Sequence, residues 1–508
     1  MAPNEVPTET VLERERKFEV DLRRPRPDLT GVGPIASTAE PVETTLDATY
    51  FDTEDHRLAA AGVTLRRRRG GADEGWHLKL PVGEDRRDEI RMPLSAKQKP
   101  PRELRRLVVA HTMGRKLIPV AHLKTERAEC ALLDGTGTAV AALTDDKVTG
   151  EAVGGAAHLD RWREWEVELG ETAGDELLES ITAALAKDGV HRSRSSSKLA
   201  RLLDDRLPKT PKRRTKRAGD VVLAYLREQV DVLRRNDIGV RRDAEDAVHQ
   251  MRVASRRIRG ALNSFKRVLD RDATRELAAE LKWLAGGLGP ARDIEVSREY
   301  FGAAVAKLPD ELVIGPVRPF LSAHFAAEAD QARRAALKTL SSDRYEDLLR
   351  GLDRLLTDPP FTKRAKRTAN GELRYALRRA DRRLRAAARV VAGSSDGPER
   401  DAALHELRKK AKQARYAADA VRPVFGAKLE AWRRSVKKVQ STLGDHHDLV
   451  VARTVVVDLG RAAHREGHST FTFGVLHEKG AVAAAALDGV FRRQWHDVRR
   501  GKRPNWLA

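Results

Sequence analysis

The sequence predicts an α+β chain of two domains, a barrel of short antiparallel strands followed by an all-α domain. Three observations carry that prediction. Residues 11 to about 170 alternate short β-type runs with Gly, Pro and Asp turns, whereas residues beyond 217 form long Ala, Leu and Arg-rich stretches with helical spacing. The net charge of +21 is unevenly held, at −4 over residues 1–200 and +25 over residues 201–508. An internal repeat is confined to the helical half.

Length and composition agree with this division. A chain of 508 residues exceeds one ordinary core, and usual domain sizes suggest roughly two to four domains. The single cysteine, Cys130, excludes an internal disulfide and reads as a reducing compartment. No apolar run suited to a secretion signal stands near the start, and no window approaches the roughly 20 apolar residues of a membrane span. A cytoplasmic protein without a membrane partner is expected. The cationic second half calls for a polyanion: nucleic acid, an anionic surface or a phosphate polymer.

The first element is Glu13-Arg14-Glu15-Arg16-Lys17-Phe18, followed by Glu19. As a strand, its period of two puts Glu13, Glu15, Lys17 and Glu19 on one face, with Arg14, Arg16 and Phe18 on the other. Carboxylates two residues apart with a lysine beyond suit a divalent cation and the anion it binds. A solvated edge strand has the same alternation, so the stretch alone leaves both readings open. Further strands are expected at Thr64–Arg69, Trp76–Leu80, Glu89–Leu94, Ala128–Leu133, Thr138–Leu143 and Arg163–Leu169, and many short antiparallel strands suggest a closed or nearly closed barrel. Arg102–Arg115 and Gly174–Asp188 read as accompanying helices.

Several of these strands repeat the logic of the first. Arg66 and Arg68 share one face, Lys79 adds to the next strand, and Glu164, Glu166 and Glu168 oppose Trp165, Val167 and Leu169. The charged sets form either the outer surface of an ordinary barrel or the interior of a wide one packed outside by helices.

Two prolines and a basic run over residues 206–217 mark the join. The expected domains are 1–207 and 218–508, with 208–217 as a basic linker. Helical spacing follows at Val221–Arg235, Ala247–Leu269, Leu373–Val391, Asp401–Val421 and Leu429–Thr442. Within it, His249 is followed by Arg252, Arg256 and Arg259, and His405 by Arg408, Lys412 and Arg415, at identical offsets. Leu288-Gly289 to Asp293 answers Leu443-Gly444 to Asp448, so that repeats of about 218–300 and 370–455 are expected around a shared groove. Offsets of 0, 3, 7 and 10 fall within one narrow helical stripe spanning roughly 15 Å. Like charges so aligned repel, and an anion that bridges them removes that cost. A solvated basic face partly neutralised by neighbouring acids is the plainer reading. At 5% aromatic, with no aromatic residue at those stripe positions, the chain favours a phosphate polymer over stacked bases.

The motifs Glu13-x-Glu15-x-Lys17, Tyr50-Phe51-Asp52-Thr53, Gly62-Val63-Thr64-Leu65-Arg66-x-Arg68, Trp76 to Pro81, Glu164-x-Glu166-x-Glu168 and Ser197-Lys198-Leu199-Ala200-Arg201 resemble, in order, the CYTH family of triphosphate tunnel metalloenzymes. The helical half, with His249, Arg252, Arg256 and Arg257, Leu288-Gly289, His405, Arg408 and Leu443 to Asp448, resembles the CHAD domain. The resemblance implies an eight-stranded antiparallel tunnel that hydrolyses inorganic triphosphate or short polyphosphate with Mg²⁺ or Mn²⁺. It implies metal at Glu13, Glu15 and two of Glu164, Glu166 and Glu168 with Asp145 or Asp146 nearby, and phosphate at Lys17, Arg66, Arg68, Lys79, Lys124 and Lys198. Glu13, Glu15 and Lys17 are its catalytic residues. For the helical domain it implies inorganic polyphosphate bound by both stripes, and a non-catalytic version of the chain would be expected at polyphosphate granules.

Two positions depart from the family pattern. Arg91 stands where a second acid often follows the glutamate of an Arg-x-Glu strand. In Lys124-Thr-Glu126-Arg127 a cation is expected at 126, and a regular strand sends Arg127 to the opposite face. The alternatives left by the sequence are an organic triphosphate or cyclisation in the same tunnel, a non-catalytic polyphosphate-binding protein, and general nucleic-acid binding.

Overall fold

A computed structural model of the chain describes residues 9–96, 98–154, 158–208, 214–500 and 507. It forms two compact units, Met1–Thr210 and Pro211–Ala508. Residues 209–213 of the expected linker lie outside the described residues.

In the first unit the strands are β1 (Glu9–Val20), β2 (Ser37–Thr38), β3 (Val42–Asp52), β4 (Thr64–Arg69), β5 (Gly75–Gly83), β6 (Arg86–Met92), β7 (Ile118–Leu133), β8 (Ala139–Ala152), β9 (His158–Leu169) and β10 (His191–Arg192). The helices are α1 (Arg57–Ala60), α2 (Arg102–Leu107), α3 (Val109–Thr112), α4 (Glu176–Lys187) and α5 (Lys198–Leu202). Eight strands run antiparallel in the order β1-β6-β5-β4-β3-β7-β8-β9, and β9 pairs back onto β1, with Lys17 opposite Glu166. The ring is closed, which satisfies every edge. The helix expected over Arg102–Arg115 breaks in two at Val108, whose φ of −102° and ψ of 4° leave the helical region.

Closure settles which face of each strand is buried in what. Phe18, Trp165 and Val167 point outward, where they pack with Leu177, Leu178, Ile181 and Leu185 of α4 in one apolar cluster. The apolar core of this unit therefore lies largely outside the barrel wall, and the charged alternates are left to line its interior. At one end the lining turns apolar: Ala48, Tyr50, Leu123, Val148 and Trp162 cluster with Leu199, Leu202 and Leu203 at α5. Gly150 makes room for that plug, because a Cβ there would stand 3.1 Å from a Leu202 methyl and 3.2 Å from the Trp162 ring.

Asp52, fully buried at the end of β3, holds the next turn together. Its carboxylate accepts the backbone N–H groups of Thr53 at 2.6 Å, Leu58 at 2.8 Å and Ala59 at 2.9 Å. These bonds cap α1 and explain Asp52 and Thr53 in the sequence motif. Asp52→Ala strands those donors in an apolar setting, and the expected loss of at least about 2 kcal/mol should appear as a lowered midpoint in denaturant unfolding of the first unit's transition.

The second unit is all-helical among the described residues: α6 (Ala218–Arg241), α7 (Ala247–Ser264), α8 (Arg271–Gly287), α9 (Gly289–Ala306), α10 (Val317–Leu340), α11 (Asp343–Thr357), α12 (Ala369–Gly393), α13 (Pro398–Phe425), α14 (Ala427–Arg465) and α15 (Phe471–Arg500). The repeat is visible in the backbone. Ala218 N donates to Arg367 O at 3.0 Å while Ala369 N donates to Lys216 O at 2.8 Å, a reciprocal pair that joins the starts of α6 and α12 as a two-fold relation does. The copies differ at the glycine block. Leu288 separates α8 from α9, whereas Leu443-Gly444 lies inside the 39 residues of α14. The first stripe helix also ends at Ser264 rather than Leu269, because Asp270 caps α8 with bonds from Asp272 N and Ala273 N.

Candidate functional site

Inside the barrel, acids and bases alternate around the ring. Glu13, Glu15 and Lys17 of β1 face inward, as do Arg66 and Arg68 of β4, His77 and Lys79 of β5, Glu89 and Arg91 of β6, and Glu164 and Glu166 of β9. Lys17 Nζ lies 3.2 Å from Glu15 and closer still to Glu166. Lys79 Nζ lies 2.7 Å from Glu13 and 3.7 Å from Glu89. Lys198, at the start of α5, reaches Asp146 at 2.8 Å, Glu164 at 2.9 Å and Glu166 at 2.6 Å.

These pairings decide the charge states. Burial alone would raise Glu15, yet Lys17 and Lys79 bring its carboxyl down to about 2. Glu166 is likewise held well below the usual carboxylate range by Lys17, Lys198 and Arg127 against the effect of burial. Glu13 goes the other way, to about 7: burial dominates, Lys79 opposes it, and Glu89 and Glu15 add repulsion. Arg68 is pulled down to about 9 by burial and by Arg66 and Arg127.

Three sequence expectations are corrected by the register. Lys124 points outward and is exposed, because the inward set of β7 is Leu123, Thr125 and Arg127. Glu126 also points outward, so no cation is missing from that wall. Arg127 supplies it, bound to Asp146 at 2.9 and 2.7 Å and to Glu166 at 3.2 Å. Asp145 is on the outer face, paired with Arg163 at 2.7 and 2.6 Å, and its neighbour Asp146 is the acid within. Glu168 keeps the inward register opposite Glu15 but is solvent-exposed. Arg91, the other departure, bonds Glu89 at 2.5 Å and stands 4.0 Å from Glu13.

The expected metal set Glu13, Glu15, Asp145, Glu164, Glu166 and Glu168 is not assembled as such. Among the described residues no three Asp, Glu, His or Cys side chains stand together as a metal cluster, since each inward acid with a partner is turned to a lysine or arginine. The donor chemistry nevertheless fits Mg²⁺ or Mn²⁺, which take carboxylate oxygens. Glu15 Oε1 is buried without a hydrogen bond, its cation Arg87 Nε being 3.6 Å away, and Glu13 on the same strand face is held by Lys79 at 2.7 Å.

In the helical unit the stripes of α7 and α13 meet. A cavity of about 1270 Å³ is lined by Arg256 and Arg259 from one and His405, Arg408 and Lys412 from the other. His249, Arg252 and Arg415 stand outside that lining. Arg252 donates to Gly289 O at 2.7 Å and to Asp293 at 3.1 Å, and Arg408 pairs with Asp448 at 3.4 Å, so the glycine block serves the stripe arginines in both copies. His405 contacts His447 through their Nδ1 atoms at 3.1 Å, where the first copy sets Arg292 near His249. Burial, Arg408 and Arg256 bring Lys412 down to about 8. Among the described pairings no acid lies within ion-pair distance of Arg256, Arg259 or Lys412, whereas Arg252 and Arg408 are paired with Asp293 and Asp448, so the stripes form a partly neutralised basic face with part of their charge left over. Arg379 and Arg383 of α12 and Lys266 also line the cavity, and sequence reasoning missed them. Their signal was Arg379-x-x-Arg382-Arg383, one helical turn apart.

A closed barrel with its charges inside, followed by a duplicated helical unit, defines a two-domain chain of triphosphate-tunnel architecture. The chain belongs to the CYTH and CHAD families: the CYTH domain matches residues 12–203 and the CHAD domain residues 224–457. CYTH tunnel enzymes depend on metal, usually Mg²⁺ or Mn²⁺. The chain is 37% identical to Uncharacterized protein Rv2226 of Mycobacterium tuberculosis over 508 residues, covering 97% of this chain and 98% of the relative. Among solved structures, the CHAD domain of the plant Ricinus communis is 24% identical with TM-score 0.48, covering 57% of this chain and 94% of that one. PptA of Streptomyces chartreusis is 24% identical with TM-score 0.47, covering 55% and 99%. PH1819 of Pyrococcus horikoshii is 17% identical with TM-score 0.24, covering 38% and 99%. No helix among the described residues is long and apolar enough to cross a membrane.

Lys198 is the sole described lysine that joins three buried carboxylates. Lys198→Met leaves them facing each other with Lys17 and Arg127 supporting Glu166 and Asp146 and only the Trp162 indole N–H supporting Glu164, and should destabilise the first unit by about 3–5 kcal/mol, measured by chemical denaturation.

Proposed function

We propose that the first unit hydrolyses inorganic triphosphate or short polyphosphate with Mg²⁺ or Mn²⁺, and that the helical unit binds inorganic polyphosphate. The observation that carries this reading is the pairing within the tunnel. Lys17, Arg66, Arg68, Lys79, Arg127 and Lys198 line one plugged passage with their acids beside them, a layout that accepts a short polyanion together with a cation and little else. Lys17 and Lys198 release Glu166 to hold phosphate oxygens, and Arg66, Arg68 and Arg127 spread along the opposite wall to stabilise charge as it develops on the transferred group. Glu13 and Glu15, with Glu166 and Glu164 once freed, would hold the metal. That ion would neutralise phosphate charge and activate water. The apolar plug at α5 closes one end to solvent.

A second reading has its own support. Arg91 sets a guanidinium among Glu89 and Glu13, where metal-binding acids gather, and so favours a tunnel that binds phosphate without hydrolysing it. Phosphate release from inorganic triphosphate, compared with Mg²⁺ and Mn²⁺, separates the two. Metal-dependent release that is lost in a folded Glu13→Ala, Glu15→Ala variant supports hydrolysis; no release from triphosphate, ATP or thiamine triphosphate supports binding alone.

The helical unit makes a separate prediction. With Lys412 at about 8 in the free protein, a bound polyanion favours its charged form, so binding takes up a proton and affinity falls as pH rises from 7 to 9. Lys412→Arg keeps the charge and should flatten that decline, measured as polyphosphate affinity by calorimetry at fixed ionic strength.

A further inference from the structure

The two copies in the helical unit are related by an approximate two-fold, yet the faces that they present are electrostatically unequal. Counting equal distances from the reciprocal pair Ala218 and Ala369, the positions of Arg379, Arg382 and Arg383 on α12 correspond to Glu228, Asp231 and Val232 on α6. On the α12 side lies the cavity of about 1270 Å³, to which Lys266, Arg271, Arg379 and Arg383 contribute beside the stripes, against the acids Glu399 and Glu406, the latter paired with Lys409 at 2.6 Å. On the α6 side the cavity is about 510 Å³, and Glu228 and Asp419 equal Arg257 and Arg422 in number.

The faces differ in the number of cations rather than in their pairing. Among the described pairings none of Lys266, Arg271, Arg379 or Arg383 has a carboxylate within ion-pair distance, and neither has Arg257 or Arg422 on the other face, where Asp419 is held by Arg433 at 3.2 Å. Arg379 is held below its ordinary value by burial and by Arg383 and Arg271, so these cations crowd one another with no ion-pair partner among the described pairings. Folding tolerates such a cluster where a ligand repays it.

We infer that the polyphosphate site is one-sided: Arg379 and Arg383, with Lys266 and Arg271, form a shelf that extends the stripe groove, and a long polyphosphate chain runs out along α12 rather than across α6. This rests on the polyphosphate reading above and adds the direction in which the chain leaves the groove. The shelf joins Arg379 and Arg383 of α12 to Lys266 and to Arg271 at the start of α8, and it acts through attraction and salt-sensitive capture.

The test uses the full chain, long-chain inorganic polyphosphate and two variants, each verified as folded by circular dichroism. Arg379→Glu with Arg383→Glu should weaken binding by at least about tenfold and reduce its dependence on salt. Glu228→Lys, on the other face, should change affinity less than about twofold. The milder Arg379→Gln, Arg383→Gln variant should show the same direction if charge reversal disturbs the helix. Unchanged affinity in both α12 variants, with the unmodified chain binding tightly, overturns the one-sided path. Equal gain from Glu228→Lys does so as well. Failure of the unmodified chain to bind polyphosphate would instead overturn the underlying reading.

Discussion

The first unit depends on one constraint, the mutual neutralisation of charges enclosed by a ring of strands. Carboxylates and cations buried singly would each cost several kcal/mol, and enclosure without pairing would leave the barrel unstable. Register removes that problem: Lys17 stands opposite Glu166, Lys79 opposite Glu89, and Arg127 opposite Asp146. The apolar residues that would fill an ordinary barrel are turned outward, under α4. A passage lined by balanced charges can open to a polyanion and cations by exchange of partners, without gain or loss of net charge in the wall.

The helical unit follows the opposite rule. Its groove holds Arg256, Arg259 and Lys412 with no acid at ion-pair distance among the described pairings, and the internal repeat brings them from two helices into one place. The glycine blocks adjoin this arrangement: Arg252 and Arg408 lie against Gly289 and Gly444 and reach Asp293 and Asp448. One domain thus stores its charge as internal pairs and the other as unmet attraction. Under the proposed reading the first would hold a short phosphate chain throughout its length and the second a long one along its side.

Much of this was legible in the sequence. The alternation at Glu13 to Glu19 and at Glu164 to Glu168, the paired stripes, and the change from strand to helical texture each survive into the structure, because each is local: side-chain period is a property of one strand or one helix. Arg379 and Arg383 were passed over for a related reason. They belong to α12, outside the repeated stripe, and only packing against α13 brings them to the same groove.

What the sequence by itself determined was the composition of each face; what the tertiary structure decided was which face looks inward. Strand period leaves Lys124 and Arg127 on opposite sides, as it does Asp145 and Asp146, but the choice between them belongs to the hydrogen-bond register of β7 with β3 and β8. A shift of one residue would exchange the two sets entirely. Closure of β9 onto β1 fixes that register around the whole ring, and so places Arg127 and Asp146 in the tunnel while Asp145 meets Arg163 outside.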